Sequence, residues 1–380
     1  MNCLKTIKIR YILVVLILAT LIIYRAYASP IGTSSGQFIT YLINKPKPAI
    51  VKSPWPWRSD RKIHPAITRI TSKDEKSIKS VAKYIAKHET NPYLQVKAIH
   101  DYIITRVTYD LDVLKTGRRP SQDAQTVFVT HKGVCEGYAN LFLALGKEIG
   151  LNVVYIKGKI RKDLVPIDLI PQSFRLLKPN YDWTLHAWNA VKIEGNWQLV
   201  DTTWDDSNSN GSIKYSTNYL MIPAEAMIIS HFPALGGWQL LNNSKNFNSF
   251  EKQPILKPQF FVEKLKMISP IEYQTDVRES ALIKIVTPPN YSRKIGAIFT
   301  RKNESQFFLW NFPSSNNSTV KDIKTCESLD KVKDKNQILC RFPKPGIYQV
   351  FMFSYDRKIN SFRFRRRINL IGKLKYTSVQ

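Results

Sequence analysis

Lys132-Gly133-Val134-Cys135-Glu136-Gly137-Tyr138-Ala139 opens the stretch, running on to Gly150, whose reading decides the fold. Tyr138, Leu141, Phe142, Leu145 and Ile149 recur at helical spacing, which predicts a helix over 133–150 with Gly150 as its C-cap. Cys135 then lies in the first turn. The unsatisfied amides there carry about half a unit of positive charge, which stabilises a thiolate and suits a developing oxyanion. Gly133 and Gly137 allow the backbone to approach a substrate closely.

Working outward, helices precede this stretch and strands follow it. Ser72 and Glu75 form a capping-box pattern ahead of Ile78, Val81, Ala82, Ile85 and Ala86. Asn91-Pro92 predicts a second helix reaching about Arg106. Beyond Gly150, Asn152–Gly158 reads as a strand, and 187–193 with 197–201 as a hairpin about Glu194-Gly195-Asn196. Helices first and an antiparallel sheet afterwards is an α+β pattern.

The hairpin carries His186 and Asp201. With a two-residue loop, Asp201 falls opposite Trp188 or Ala190, on the face that His186 occupies, within reach of a carboxylate–imidazole hydrogen bond. A three-residue loop reverses that parity. Under the first register Cys135, His186 and Asp201 are nucleophile, base and orienting acid. Each has a plainer reading: Cys135 as a small buried hydrophobe, His186 as a core histidine, Asp201 as a turn or cap residue. Their joint occurrence at these element boundaries favours the catalytic one.

Gly133-Val134-Cys135-Glu136-Gly137-Tyr138-Ala139, His186-Ala187-Trp188-Asn189 and Asp201-Thr202-Thr203-Trp204-Asp205 resemble, in order, three signature blocks of the transglutaminase-like superfamily, in its kyphoscoliosis-peptidase-like branch. Val107-Thr108-Tyr109-Asp110 is similar to the segment before the cysteine block, and Cys340 to Tyr348 to a turn-strand of that family's β domain. The resemblance covers about residues 70–225. It implies a papain-like α+β core with Cys135, His186 and Asp201 as the triad. The implied chemistry is acyl transfer through a thioester, either peptide hydrolysis or transfer of a glutaminyl acyl group to an amine. One departure is the 27 residues between Gly158 and His186, with Pro166, Pro171 and Pro179, which is longer than the family's minimal pattern. Gln122, Gln125 and Trp183 are candidates for an oxyanion-stabilising side chain.

The 380 residues divide as a signal peptide or anchor over 1–28, a Pro/Lys-rich linker over 29–65, a transglutaminase-like domain over 66–255 and a basic β-sandwich over 256–380. The sandwich is read from strands such as 281–286, 296–300, 306–310, 346–355 and 361–371. At 43% hydrophobic and 23% charged, the composition excludes a wholly disordered chain and a multi-span membrane protein. Lys5, Lys8 and Arg10, the apolar run from Tyr11 to Ile23 and Ala26-Tyr27-Ala28 predict export. Cleavage is favoured over retention as an anchor, because the run is shorter than a span of about 20 residues. The product is expected to be secreted or periplasmic, otherwise anchored. Removing the segment takes away four basic residues and no acid, so the charge falls from +28 to +24. Cys326 and Cys340 can then pair, leaving Cys135 as the single thiol.

The region 256–380 holds 24 basic and 10 acidic residues. Near its end Arg363, Arg365 and Arg367 alternate with Phe362, Phe364 and Ile368, either as a protected, soluble sheet edge or as a dock for an anionic lipid or acidic glycan. A nucleic-acid partner is not expected. His131 and Cys135 stand four apart with no second ligand pair nearby, so no metal is expected, and no cofactor. The expected function is an exported cysteine peptidase or acyltransferase acting on protein or peptide. The competing reading is a non-catalytic surface-binding or scaffold protein using the same fold.

Overall fold

The computed structural model describes residues 53–57, 62–116, 118–164, 184–206, 215–301, 323–332, 335–356 and 368–379. The expected leader, most of the 29–65 linker, Trp183, most of the 159–185 connection, the 306–310 strand and the Arg363–Arg367 stripe lie outside these residues. No helix among the described residues is long and apolar enough to cross a membrane.

The predicted central helix spans Cys135–Ile149 and ends in Gly150 at φ 93°. Its stripe of Tyr138, Leu141, Phe142 and Leu145 is fully buried in one cluster with residues of helices Ile78–His88 and Pro92–Arg106. The other side of the helix faces a five-stranded antiparallel sheet. In spatial order its strands are Leu220–Ile222, Asn196–Val200, Leu185–Ile193, Asn152–Ile160 and His231–Pro233. Leu185–Ile193 is central and buried on both faces over most of its length.

Three expectations need correction here. The cap of helix Ile78–His88 is Ser77, not Ser72: Ser77 and Ser80 exchange side-chain and backbone hydrogen bonds at 3.1 and 2.9 Å. Asp74 instead closes a turn on Thr71, and Glu75 pairs with Arg106 at 2.8 Å. The segment read as linker is, over 53–57, part of the fold. The Trp55 and Trp57 indoles donate to Asn218 and Leu220 carbonyls at 3.0 and 2.9 Å, and Trp57 joins the main core. Proline and lysine content pointed to an extended chain, but two tryptophans supply apolar area that an edge strand can bury. Lastly, the region after 256 is not strands alone, since Pro258–Val262 is a short helix that buries Phe260.

That C-terminal region is two sheets. One orders Gln274–Val277, Ile368–Ser378, Gly346–Asp356, Arg293–Arg301 and Lys324–Thr325, with Ile255–Leu256 added to Ile368–Ser378. The other orders Glu327–Val332, Lys335–Arg341, Ser280–Val286 and Lys266–Ser269. Both contribute to one apolar cluster: Ile283, Ile285 and Ile338 from the second, Ala297, Val350 and Leu374 from the first. Cys326 and Cys340 form a disulfide within it. The protein is thus α+β with a β-rich C-terminal part. Buried Arg161 donates to the Gln253 and Glu251 carbonyls within the first part and lies 5.1 Å from the Tyr273 ring of the second.

Candidate active site

Cys135 is half-buried, a free thiol, and the first residue of its helix. Val134 precedes it without a side-chain cap, so no side chain competes for the first-turn amides from that position. The turn is braced from outside. Gln122 Oε1 accepts the Val134 N–H at 2.8 Å, Gln122 Nε2 donates to Pro120 O at 3.1 Å, and the Asn140 amide donates to Gln122 O at 2.8 Å. A Cβ on Gly137 would stand 2.7 Å from both Gln122 Oε1 and Val127 Cγ2, so this close packing needs glycine. Gln122, one of the oxyanion candidates, therefore supports the turn carrying the sulfur. Gln125 is exposed on helix Ala124–Thr130, and Trp183 is outside the described residues.

The hairpin has the two-residue loop. Ile193 pairs with Asn196 and Asn189 with Val200, with Glu194 and Gly195 both at positive φ. One step further along this register Asp201 comes opposite Trp188. His186 Nε2 and Asp201 Oδ2 are 2.7 Å apart, both side chains buried. With Nε2 held by the carboxylate, Nδ1 is the ring nitrogen turned from Asp201, and Cys135 is near enough to favour the ring's charged form. Burial works against the His186 imidazolium, but the charges of Asp201 and Cys135 and their hydrogen bonds outweigh it and push the ring up to about 10. The structure thus sets Asp201 against His186 and puts Cys135 among the groups that act on the same ring.

Asp201 is also the N-cap of the short helix Thr202–Asp205, its Oδ1 accepting the Thr203 and Trp204 amides at 2.9 and 3.1 Å. Burial opposes its ionisation, yet the His186 charge and the imidazole hydrogen bonds hold it below the usual carboxylate range. The far end of this helix is anchored by a second buried network. Asp205 accepts from the Asn218 and Tyr219 amides at 2.9 and 2.8 Å and meets His100 Nε2 at 3.2 Å. His100 Nδ1 meets Asp101 Oδ1 at 2.9 Å, and Asp101 Oδ2 takes Lys97 Nζ at 2.5 Å. Burial disfavours the His100 cation, but the two carboxylates raise it to about 9.

Sequence reasoning missed His231. Its Nε2 lies 2.9 Å from the same Asp201 Oδ2, and its Nδ1 lies 2.7 Å from Ser230 Oγ. Burial, helped by the nearby His186 charge, pushes this ring down to about 4 despite Asp201. The available signal was a histidine inside the apolar run Met227 to Phe232, where a buried ring must find partners. His186, Asp201 and His231 are metal-ligating types with ligand atoms within 4.8 Å of one another. At 2.7 and 2.9 Å, however, their contacts are those of shared protons rather than of groups arrayed about a cation.

Residues 79–202 match the family model of the transglutaminase-like superfamily, a window that contains Cys135, His186 and Asp201 and ends before His231. The chain is similar to kyphoscoliosis peptidase of Mus musculus, 28% identical over 222 residues that cover 54% of this chain and 32% of that protein. Similarity to kyphoscoliosis peptidase of Homo sapiens is 28% over 172 residues, 44% of this chain and 25% of that one. The Lim and transglutaminase domain protein ltd-1 of Caenorhabditis elegans is 28% identical over 175 residues, 40% of this chain and 22% of the relative. The chain therefore spans about a third or less of the length of these relatives.

Proposed function

We propose that this chain, which carries a transglutaminase-like domain, is an exported cysteine-dependent acyl-transfer enzyme acting on protein or peptide amides, with hydrolysis favoured over transfer to an amine. Cys135 Sγ attacks the amide carbonyl while its proton rests on His186. The tetrahedral oxyanion faces the amides at the start of helix Cys135–Ile149. As the C–N bond breaks, the His186 proton passes to the leaving amine and a thioester forms on Cys135. Water or an amine then attacks the thioester, giving its proton to His186, and the thiol is regenerated. Asp201 holds the ring and balances the imidazolium throughout.

The observation that carries this reading is the buried His186–Asp201 contact at 2.7 Å, with Cys135 at the start of its helix near enough to favour the charged ring. Alkylation by iodoacetamide at pH 7, followed at the Cys135 peptide by mass spectrometry, tests it. His186→Ala is expected to slow Cys135 alkylation by at least about tenfold, as the sulfur loses the base that takes its proton. Equal rates in the two proteins would leave a surface-binding module as the better reading.

Export is supported by the basic-then-apolar N-terminal segment and by the Cys326–Cys340 disulfide, a bond that persists in oxidising compartments. The excess of basic residues after 256 supports docking to an anionic lipid or acidic glycan surface. Co-sedimentation with phosphatidylserine vesicles that weakens steeply with salt is the expected result. No binding even at low salt would remove that partner.

A further inference from the structure

We infer that His231 is a positioning residue for the triad: a neutral ring that donates its Nε2–H to Asp201 and so fixes the carboxylate on which His186 depends. The inference rests on the catalytic reading of Cys135, His186 and Asp201 above and adds a fourth side chain outside the matched family window. Asp201 has four acceptor sites, and all four are filled: Thr203 N and Trp204 N on Oδ1, His186 Nε2 and His231 Nε2 on Oδ2. A carboxylate so bound has no freedom to turn away from His186.

The protonation pattern follows from charge and geometry. The two imidazoles lie 5.2 Å apart by ring centroids, both buried, and share one oxygen of one carboxylate. One carboxylate compensates one cation, and His186 alone has the Cys135 side chain beside it as a second group that favours its charged form. His186 therefore takes the charge and His231 stays neutral. A carboxylate only accepts, so the single proton of His231 sits on Nε2, leaving Nδ1 bare. Ser230 must then donate its hydroxyl proton to Nδ1, across 2.7 Å. Ser230, His231 and Asp201 thus form a one-way chain of donors ending at the oxygen that holds His186. The ring is clamped by aromatic neighbours, with Trp204 at 4.5 Å, Trp188 at 5.1 Å and Tyr219 at 5.6 Å. The charged or titratable groups beside it are His186, Asp201 and Tyr219.

The test is the pH profile of Cys135 alkylation by iodoacetamide in the full chain. In the wild type the rate should rise along an acid limb, as the sulfur gives up its proton, and hold above it, because loss of the His186 proton leaves the sulfur a nucleophile. His231→Leu removes the donor and keeps an apolar side chain. It should lower the rate at pH 7 on the order of tenfold, the weight of one hydrogen bond to a charged group. It should also move the acid limb to higher pH, because a loosened Asp201 supports the imidazolium less. His231→Gln keeps an N–H donor and should recover most of both. A displaced limb with rescue by glutamine supports the inference, whereas a wild-type profile in a folded His231→Leu protein overturns it. If the leucine variant does not fold, imidazole 15N shifts of the wild-type protein at pH 7 decide. A neutral Nε2–H tautomer at His231 beside a charged His186 is expected, and an Nδ1–H tautomer or a charged His231 overturns the inference. A wild-type rate that follows an ordinary thiol titration would instead sink the catalytic reading itself, so the two failures are distinguishable.

Discussion

The interior of the α+β part and the interior of the C-terminal sheets are built on different terms. The first fully buries His64, Lys97, His100, Asp101, Arg161, His186, Asp201, Asp205 and His231, basic and acidic side chains in hydrogen-bonded networks. Among the described residues after 256, the fully buried polar positions apart from tyrosines are Thr287, Thr300, Ser354 and Ser378, and the charged Lys257 and Glu263 are only partly covered. Their surroundings are an apolar cluster closed by the Cys326–Cys340 disulfide. A buried charge costs free energy unless paired, and a hydrophobic replacement of similar volume is often as stable. The first interior therefore holds its charges for what they position. The network of Lys97, Asp101, His100 and Asp205 fastens one end of helix Thr202–Asp205, and Asp201 at the other end faces the sulfur's base.

Single substitutions in the two interiors should separate them. Asp101→Ala leaves Lys97 and His100 buried with one carboxylate lost, and removes an acceptor from His64 N–H and Tyr215 OH. We expect a loss of about 3–5 kcal/mol by urea denaturation, together with loss of Cys135 reactivity as the Asp201 helix loosens. Ile338→Ala, fully buried between the C-terminal sheets, should cost about 2–4 kcal/mol as a cavity and leave Cys135 alkylation at its wild-type rate under native conditions. If Ile338→Ala slowed the thiol as much as Asp101→Ala does, the division between a site-bearing and a supporting interior would be wrong.

How much of this was legible beforehand depended on how local each cause is. The Cys135–Ile149 helix announces itself through its apolar stripe and Gly150, and the facing of His186 and Asp201 follows from counting two residues in one turn. The disulfide follows from two cysteines 14 residues apart in one strand-rich region, read on the expectation of export. His231 was not legible, because its role comes from strand His231–Pro233 pairing with Asn152–Ile160, about seventy residues earlier, with no local pattern to report that adjacency. The same holds for the buried pair of His100 and Asp205, which are 105 residues apart. Trp55 and Trp57 were misjudged because composition was averaged over a stretch in which two side chains outweigh the prolines.

The smallest expected effect gives the finest comparison, since the two interiors should respond to pH in opposite directions. His231 sits near 4 in the fold and near the usual histidine value when unfolded. The stability it contributes is present above about 6.5 and is lost as pH falls through 4, where the unfolded chain takes up a proton that the fold refuses. His100, held near 9 by Asp101 and Asp205 against its burial, runs the other way: its contribution is full below about 6.5 and disappears as pH rises through 9. The α+β interior should therefore be most stable near pH 6.5. In the C-terminal part, burial and the neighbouring Lys373 push Lys257 down to about 7, so that region gains stability as pH rises from 7 towards the ordinary lysine value. Hydrogen exchange between pH 7 and 9, corrected for intrinsic rates, should show helix Cys135–Ile149 losing protection while strand Ile368–Ser378 holds or gains it. A single shared trend would mean that both interiors open as one unit, with Arg161 against the Tyr273 ring as one contact between them, and the contrast would then be one of composition alone.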